Sequence, residues 1–258
     1  MTDDESGSDN RIQAVENAFD IVEVVQAANG CDAVHVRREL DLPRSTAYIY
    51  LKTLEDLGCL TRRGDEYHVG VRFLNHGGFA RDDIDVFRVA RQEVEKVADE
   101  TDLVATVGCE DDGLRVLLYL TESDEAVSDN PPTGEYTEMH WTALGKALLA
   151  EKTDDEVRAV VEHHGLPRAT ENTRTDIDSL LEDLDAVRER GYAVGDEERS
   201  LGVKSVGTTV DVVDDRYGPL AIAVAGPTSK LSPDRVEDEI VPVLWEAANV
   251  VELRMEHY

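Results

Sequence analysis

Residues 42–70 read LPRSTAYIYLKTLEDLGCLTRRGDEYHVG, Leu42 to Gly70, a short helix followed by a hairpin. Pro43 suits the first turn of a helix, because its ring fixes φ and its missing N–H is a donor that a helix start leaves unpaired anyway. From there Ala47, Leu51 and Leu54 recur at spacings of four and three and make a buried stripe. Ser45, Tyr48, Ile49 and Lys52 fall on the opposite face, and Gly58 ends the helix. Cys59–Arg63 and Glu66–Gly70 then read as two short strands, since only Gly64-Asp65 separates them and that pair suits a two-residue turn.

Upstream, Ile12, Val15, Ala18, Phe19, Val22 and Val25 recur at helical spacing, and the pattern stops at Asn29-Gly30. A second short helix begins at Asp32, an N-cap residue, and carries Ala33, Val36 and Leu40 before the Asp41-Leu42 turn. Three helices and a hairpin make a winged helix-turn-helix over residues 11–75, behind a polar acidic tail, Met1–Asn10, expected to be disordered. Downstream, His76-Gly77-Gly78 reads as a hinge and Asp83–Glu100 as a linker helix with Ile84, Phe87, Val94 and Val97 near one stripe, together occupying residues 76–100. Residues 101–258 mix both periods. Leu103–Gly108 and Leu114–Leu120 read as strands, and helices are expected near Thr142–Glu151, Asp154–His163 and Asp176–Arg190. Val203–Val213 and Leu220–Ala225 suggest a hairpin, and a last amphipathic helix runs from Ser232-Pro233 to about Met255. The fold class is α+β.

The 258 residues carry a formal charge of −30, from 56 acidic and 26 basic side chains. Between Arg11 and Asn75 eight basic residues stand against ten acidic ones, so nearly all the excess lies later and nucleic acid is not excluded for the first domain. The acidic residues are dispersed rather than gathered in a tail, and only six of the 26 basic residues are lysine. This reads as adaptation to a salt-rich cytoplasm such as that of a halophilic archaeon; the plainer reading is an acidic mesophilic protein with no special solvent. Cys31, Cys59 and Cys109 form no C-x-x-C pair, so neither a disulfide framework nor a zinc ribbon is indicated. No run approaches the roughly 18 apolar residues of a membrane span, and the N-terminus is not that of a signal peptide. A cytoplasmic protein without membrane contact is expected.

A helix-turn-helix sets the start of its last helix against base edges in the major groove, which nominates Arg44, Ser45, Thr46, Tyr48 and Ile49, with Lys52 one turn on. Arg44 suits guanine or phosphate, the two hydroxyls suit backbone positioning, and Ile49 suits a thymine methyl. Arg62 and Arg63 near the hairpin tip stand where a wing meets phosphate or minor groove, or are ordinary surface arginines. Double-stranded DNA is the expected partner.

The segment Leu42-Pro43-Arg44-Ser45-Thr46-Ala47-Tyr48, with Leu51, Thr53-Leu54-Glu55 and Leu57-Gly58, resembles the recognition helix of IclR-type transcription regulators. MHWTALGKALLA, Met139 to Ala150, is similar to that family's effector-domain signature, as are Arg190-Gly191-Tyr192-Ala193, Glu197-Glu198 and Leu201-Gly202-Val203-Lys204. Asn172-Thr173 and Ala223-Val224-Ala225-Gly226-Pro227 also fall in the family's order. The resemblance implies a winged helix, a linker helix and a GAF-like effector-binding domain, assembled as a homodimer or dimer of dimers that controls a catabolic operon. Effector binding would act on operator affinity through the linker helix. The chain departs from the family at Ile49, often basic there, at Tyr50, often leucine, and at Ser205, often cysteine.

By the same resemblance the effector pocket lies between the helix starting at Thr142 and the strand after Glu197-Glu198, and is lined by Met139, Thr142, Ala143, Leu144, Gly145, Val203 and Ser205. A helix start offers N–H groups and partial positive charge to a carboxylate, which points to an organic or sugar acid, and Gly145 would allow close backbone approach. Each residue has a plainer reading: packing for Ala143 and Leu144, a cap alone for Thr142. Lys146 follows a glycine without the rest of a phosphate-binding loop and is expected on the helix surface. His163-His164 and Met139-His140 lack metal-ligand spacing, and acidic pairs such as Asp154-Asp155 and Asp214-Asp215 read as solvated. No catalytic residue, metal or cofactor is expected. Two other readings stay open: a small-molecule enzyme with an accessory winged helix, and a protein-interaction module without a specific DNA target.

Overall fold

The computed structural model describes residues 12–121, 131–214 and 218–256, and the acidic tail expected at Met1–Asn10 lies outside them. The chain divides into two compact units, one up to Ala80 and one from Arg81 onward.

In the first unit α1 (Gln13–Ala27) turns Ile21, Val22 and Val25 inward. It stops where Asn29 and Gly30 take positive φ, 52° and 108°. At Gly30 a Cβ would also sit 2.2 Å from the His68 ring, so only glycine fits. β1 (Cys31–Asp32) leads into α2 (Ala33–Glu39), whose start is capped by Asp32: the His35 N–H donates to its Oδ1 at 2.8 Å. α3 (Arg44–Asp56) follows Pro43 and buries Ala47, Leu51 and Leu54, the stripe read from the sequence. β2 (Leu60–Arg63) and β3 (Glu66–Val69) pair antiparallel across Gly64-Asp65, with Arg63 opposite Glu66. β1 adds a third strand on the other edge of β3, Cys31 opposite Tyr67. Ile21, Val25, Val36, Leu51, Leu60 and Tyr67 meet in one core.

The residues read as a hinge, His76-Gly77-Gly78, are helical: all three lie inside α4 (Arg72–Asp82). Two glycines cost a helix about 2 kcal/mol relative to alanine, which weakens it without forbidding it. Arg72 fastens the start by donating from Nη1 to the Leu57 carbonyl at 2.6 Å. No residue of α4 is buried. The linker helix expected at Asp83–Glu100 is displaced as well: residues 83–86 form a turn and α5 spans Phe87–Thr101. Its apolar stripe, Phe87, Ala90, Val94 and Val97, joins Ile84 and Val86 in the core of the second unit.

That unit is built on one antiparallel sheet of β4 (Val104–Asp111), β5 (Leu114–Leu120), β6 (Tyr136–Glu138), β7 (Ala193–Asp196), β8 (Val203–Asp214) and β9 (Gly218–Pro227), in the order β6-β5-β4-β9-β8-β7. α6 (Ala143–Ala150), α7 (Asp154–His164) and α8 (Ile177–Arg190) share one core, and α5 packs with the last helix in the other. The last helix is not continuous as expected. A short α9 (Pro233–Arg235) passes through a π segment, Val236–Ile240, into α10 (Val241–Met255). Pro242 lacks the N–H that a regular ladder would need at that point, which accounts for the irregular turn before it.

Side chains along β9 alternate between the two cores. Leu220, Ile222 and Val224 join α5 and α10, while Ala221 and Ala223 join α6. Small residues let α6 come close to the sheet: a Cβ at Gly207 would meet Ala223 Cβ at 2.9 Å and the Ala143 carbonyl carbon at 3.3 Å, and one at Gly108 would meet Leu144 Cδ2 at 3.0 Å.

Candidate functional site

On α3 the nominated residues share an exposed face: Arg44, Ser45, Tyr48 and Ile49 are open to solvent and Thr46 is half-buried. Tyr48 and Ile49 are 61% and 63% exposed. Tyr50 turns inward instead, its hydroxyl accepting from Asn17 Nδ2 at 3.3 Å. The cationic candidates divide. Lys52 Nζ lies 2.7 Å from Asp56 and 3.5 Å from Glu55, and its pKa is raised, chiefly by the hydrogen bond to Asp56. Arg62 folds back on the wing, donating from Nε to the Gly64 carbonyl at 2.9 Å with its guanidinium 5.8 Å over the Tyr67 ring. Arg44 at the helix start and Arg63 on β2 are exposed, and so is Arg62 despite these contacts.

In the second unit a cavity of about 80 Å³ opens beside the start of α6, bordered by residues of β4, β5, β7, β8 and β9. Of the residues nominated for the effector pocket, Thr142, Leu144, Val203 and Ser205 line this cavity, and Met139, Ala143 and Gly145 do not. Met139 is buried in the turn before α6 and borders a second, smaller hollow of about 10 Å³ with His140 and Leu149. Ala143 is fully buried, and its N–H donates to Ser205 Oγ at 3.1 Å. Gly145 does serve a close backbone approach, but to the protein itself: a Cβ there would lie 2.2 Å from the Met139 carbonyl oxygen. Its N–H donates to Thr142 Oγ1 at 3.1 Å. Ser205 and Thr142 thus cap the first turn of α6 from within.

Lys146 is not the surface lysine the sequence suggested; it is fully buried. Its Nζ lies 2.7 Å from Asp183 Oδ2 on α8, 2.7 and 2.6 Å from the two oxygens of Glu198, and donates to the Val194 carbonyl at 3.2 Å. Arg174 Nε extends the network to Asp183 at 3.0 Å. Burial pushes the Asp183 carboxyl up, yet Lys146 and Arg174 outweigh it and hold the pKa low. At Glu198, which borders the cavity, burial wins and the carboxyl is raised. Two more charged groups border the cavity. Arg115 donates to Thr137 Oγ1 and to Glu135 Oε2, each at 2.8 Å, and Arg199 grips both oxygens of Glu135 at 3.0 Å.

Sequence reasoning missed Arg115, Arg199, Glu198 and Lys146 as part of this site. The usable signal for the first was a lone charge inside the apolar run Leu114–Leu120. Below the helix, buried His140 donates from Nε2 to the Pro167 carbonyl at 3.1 Å, where Trp141 Nε1 also donates at 2.9 Å. Burial lowers the His140 pKa and keeps the ring neutral.

Residues 14–64 match the IclR helix-turn-helix domain, and residues 79–253 match the family described as Bacterial transcriptional regulator IclR C-terminal. The "Probable HTH-type transcriptional regulator ArcR" of Halobacterium salinarum is 30% identical over 97% of each chain. The HTH-type transcriptional regulator KdgR of Escherichia coli is 26% identical over 96% of this chain and 94% of its own. Among solved structures, an IclR transcriptional regulator from Alicyclobacillus acidocaldarius superposes with a TM-score of 0.79 at 24% identity, covering 94% of this chain and 98% of that one. An IclR homologue from Microbacterium hydrocarbonoxydans complexed with 4-hydroxybenzoate gives a TM-score of 0.78 at 20% identity, over 95% and 100% of the two chains. At these identities the structures speak for the fold, while the two domain matches, which together span most of the chain, speak for the family. The chain belongs to the IclR family: it is a DNA-binding transcription regulator with an N-terminal helix-turn-helix and a C-terminal α+β effector-binding domain.

Proposed function

We propose that a small organic or sugar acid, held in the cavity of the second unit, sets this regulator's affinity for its operator. The regulator controls a catabolic operon from a salt-rich cytoplasm, and acts by binding rather than by turnover. The observation that carries the reading is the convergence of Thr142, Leu144, Val203 and Ser205 on one cavity that also has guanidinium groups in its wall. The Microbacterium homologue complexed with 4-hydroxybenzoate supports an acid as the ligand class. Glu198, the acid on the wall, is held by Lys146, which favours a structural role for it.

On the DNA side, Arg44, Ser45, Thr46, Tyr48 and Ile49 meet base edges and adjacent phosphates, and Arg63 meets the backbone from the wing. Lys52 and Arg62, already engaged by Asp56 and Gly64, add little. At molar salt the Debye length is about 3 Å, so close groove contacts by Tyr48 and Ile49 outweigh long-range attraction.

A homodimer, or a dimer of dimers, completes the reading. α4 has 11 residues, two glycines and no buried side chain, and such a helix is marginal alone in water. Leu74 and Phe79 on it, and Val15 and Phe19 on α1, are exposed in the single chain, and a second copy covers them. Light scattering in 2 M KCl tests this: the mass of a monomer at micromolar protein refutes it.

The functional test is fluorescence anisotropy of labelled DNA from upstream of the gene, titrated in 2 M KCl with and without organic acids. Saturable binding that shifts about fivefold or more with one acid is expected, a coupling of ordinary size. Absence of binding refutes the operator reading, and binding indifferent to every acid refutes the effector reading.

A further inference from the structure

We propose that α3 tells its operator from other DNA chiefly by the methyl groups of thymine, which Ile49 and the ring of Tyr48 cover in the major groove. The inference rests on the operator reading above and adds the chemical group that is read.

The first reason is what α3 lacks. None of its 13 residues, RSTAYIYLKTLED, is asparagine, glutamine or histidine, so the two-pronged amide contact that picks out adenine is missing. Cytosine is picked out by a carboxylate that accepts from its amino group. The carboxylates of α3 are Glu55 and Asp56, both in its last turn, and Lys52 Nζ stands 3.5 and 2.7 Å from them. That pairing occupies the lysine as well. Arg44 remains, for one guanine or one phosphate. Hydroxyls bond to several base edges and separate them weakly, and Thr53 already donates its own to the Ile49 carbonyl at 2.8 Å.

The second reason is what stands in the middle of the exposed face. Tyr48 lies one turn beyond Arg44, and Ile49 one turn beyond Ser45. Both are more than half exposed, between the polar first turn and the ion-paired last one. Carbon at that place has one apolar group to meet on the floor of the major groove, the methyl that thymine alone carries. The other face holds the helix still. Ala47, Leu51 and Leu54 are buried, and the Tyr50 hydroxyl accepts from Asn17 Nδ2 of α1 at 3.3 Å. The two side chains are thus carried on a fixed support.

The third reason is charge. Arg44 and Lys52 are balanced by Glu55 and Asp56, so α3 has no net charge and adds little to general attraction for phosphate. Covering a methyl involves no charge, and salt does not screen it. A helix built in this way keeps its preference in strong salt, where non-specific binding fades.

The test uses the full chain in 2 M KCl and a duplex that it enriches from a random library. Each thymidine of that duplex is replaced in turn by deoxyuridine, which deletes the methyl and keeps every hydrogen-bonding group, and affinity is read by fluorescence anisotropy. A loss of about fourfold is expected at each thymine whose methyl is covered, and it stays constant from roughly 1 to 3 M KCl. In Ile49→Ala, an exposed position whose folding a thermal melt checks, uridine costs nothing further at one or more of these positions. Arg44→Ala and Tyr48→Phe keep the uridine penalty. Uridine tolerated at every position, a penalty that survives unchanged in Ile49→Ala, one that disappears in Tyr48→Phe, or one that collapses as salt is raised each overturn the proposal. An enriched duplex that tolerates uridine leaves the operator reading standing and removes only the methyl contact, whereas no enrichment of any duplex overturns both.

Discussion

Replacing Lys146 with methionine removes the cation shared by two buried carboxylates while keeping a side chain of similar length, so apolar packing changes little. The ammonium touches Asp183 Oδ2 at 2.7 Å and the two Glu198 oxygens at 2.7 and 2.6 Å. Deleting one partner of a buried ion pair costs about 3–5 kcal/mol, because the charge left behind is unpaired. Two features keep the cost near the lower end. Arg174 still holds Asp183 at 3.0 Å, and Glu198, whose pKa is already raised by burial, escapes by taking up a proton. The expected loss is therefore about 3 kcal/mol at pH 7.5, and for a unit of this size each kcal/mol moves Tm by about 2–4 °C, so Tm falls by roughly 6–12 °C. Molar salt does not rescue it, since the site is buried. The penalty shrinks as pH is lowered from 7.5 to 5.5, because protonating Glu198 removes the unpaired charge. Lys146→Met combined with Glu198→Gln recovers most of the loss. Thermal melts by circular dichroism in 2 M KCl measure all three. A fall in Tm under about 2 °C, or a penalty that grows on acidification, refutes the reasoning.

Arg44→Ala is expected to weaken operator binding about tenfold, the worth of one base or phosphate contact, whereas Lys52→Ala, its charge met by Asp56 and Glu55, changes it less than about threefold. Equal losses in anisotropy titrations contradict the division of α3 drawn here. Gly145→Ala drives a methyl against the Met139 carbonyl and lowers stability by about 2 kcal/mol or more, so a melt like that of the native chain would count against the close approach. The third concerns pH. His140 has its pKa lowered from 6.5 by burial, so the unfolded chain takes up a proton that the fold resists. The stability due to the neutral ring is present above pH 6.5 and is lost as pH falls below it. His140→Gln, which keeps a donor for the Pro167 carbonyl, should flatten the decline in Tm between pH 6.5 and 5.5; a decline as steep as before shows that another group is responsible.

The first unit was largely readable from residue order because its signals are local. The α3 stripe, the Asp32 cap and the Gly64-Asp65 turn each lie within a few residues of what they determine. β1 escaped because two residues carry no period, and its partner Tyr67 lies 36 positions on. The double glycine at residues 77–78 read as a break in the helix because propensity registers a cost, whereas Arg72 and the rest of α4 decide whether the cost is met. In the cavity, Thr142 and Ser205 came through the family motif. Lys146, Arg115 and Arg199 did not, since each takes its role from carboxylates at positions 183, 198 and 135 that only the folded sheet and helices bring near. Buried charge is the part of a site that local pattern conveys least, because a lysine on a helix looks the same whether water or two acids surround it.

The most direct test of the central claim is genome-wide recovery of DNA bound to the tagged protein in its host, with an Arg44→Ala variant processed alongside. Discrete promoter peaks that vanish in the variant are predicted, and the genes behind them would name the metabolite class. An absence of peaks, or peaks indifferent to Arg44, would contradict an operator-reading α3 and favour a winged helix that binds protein.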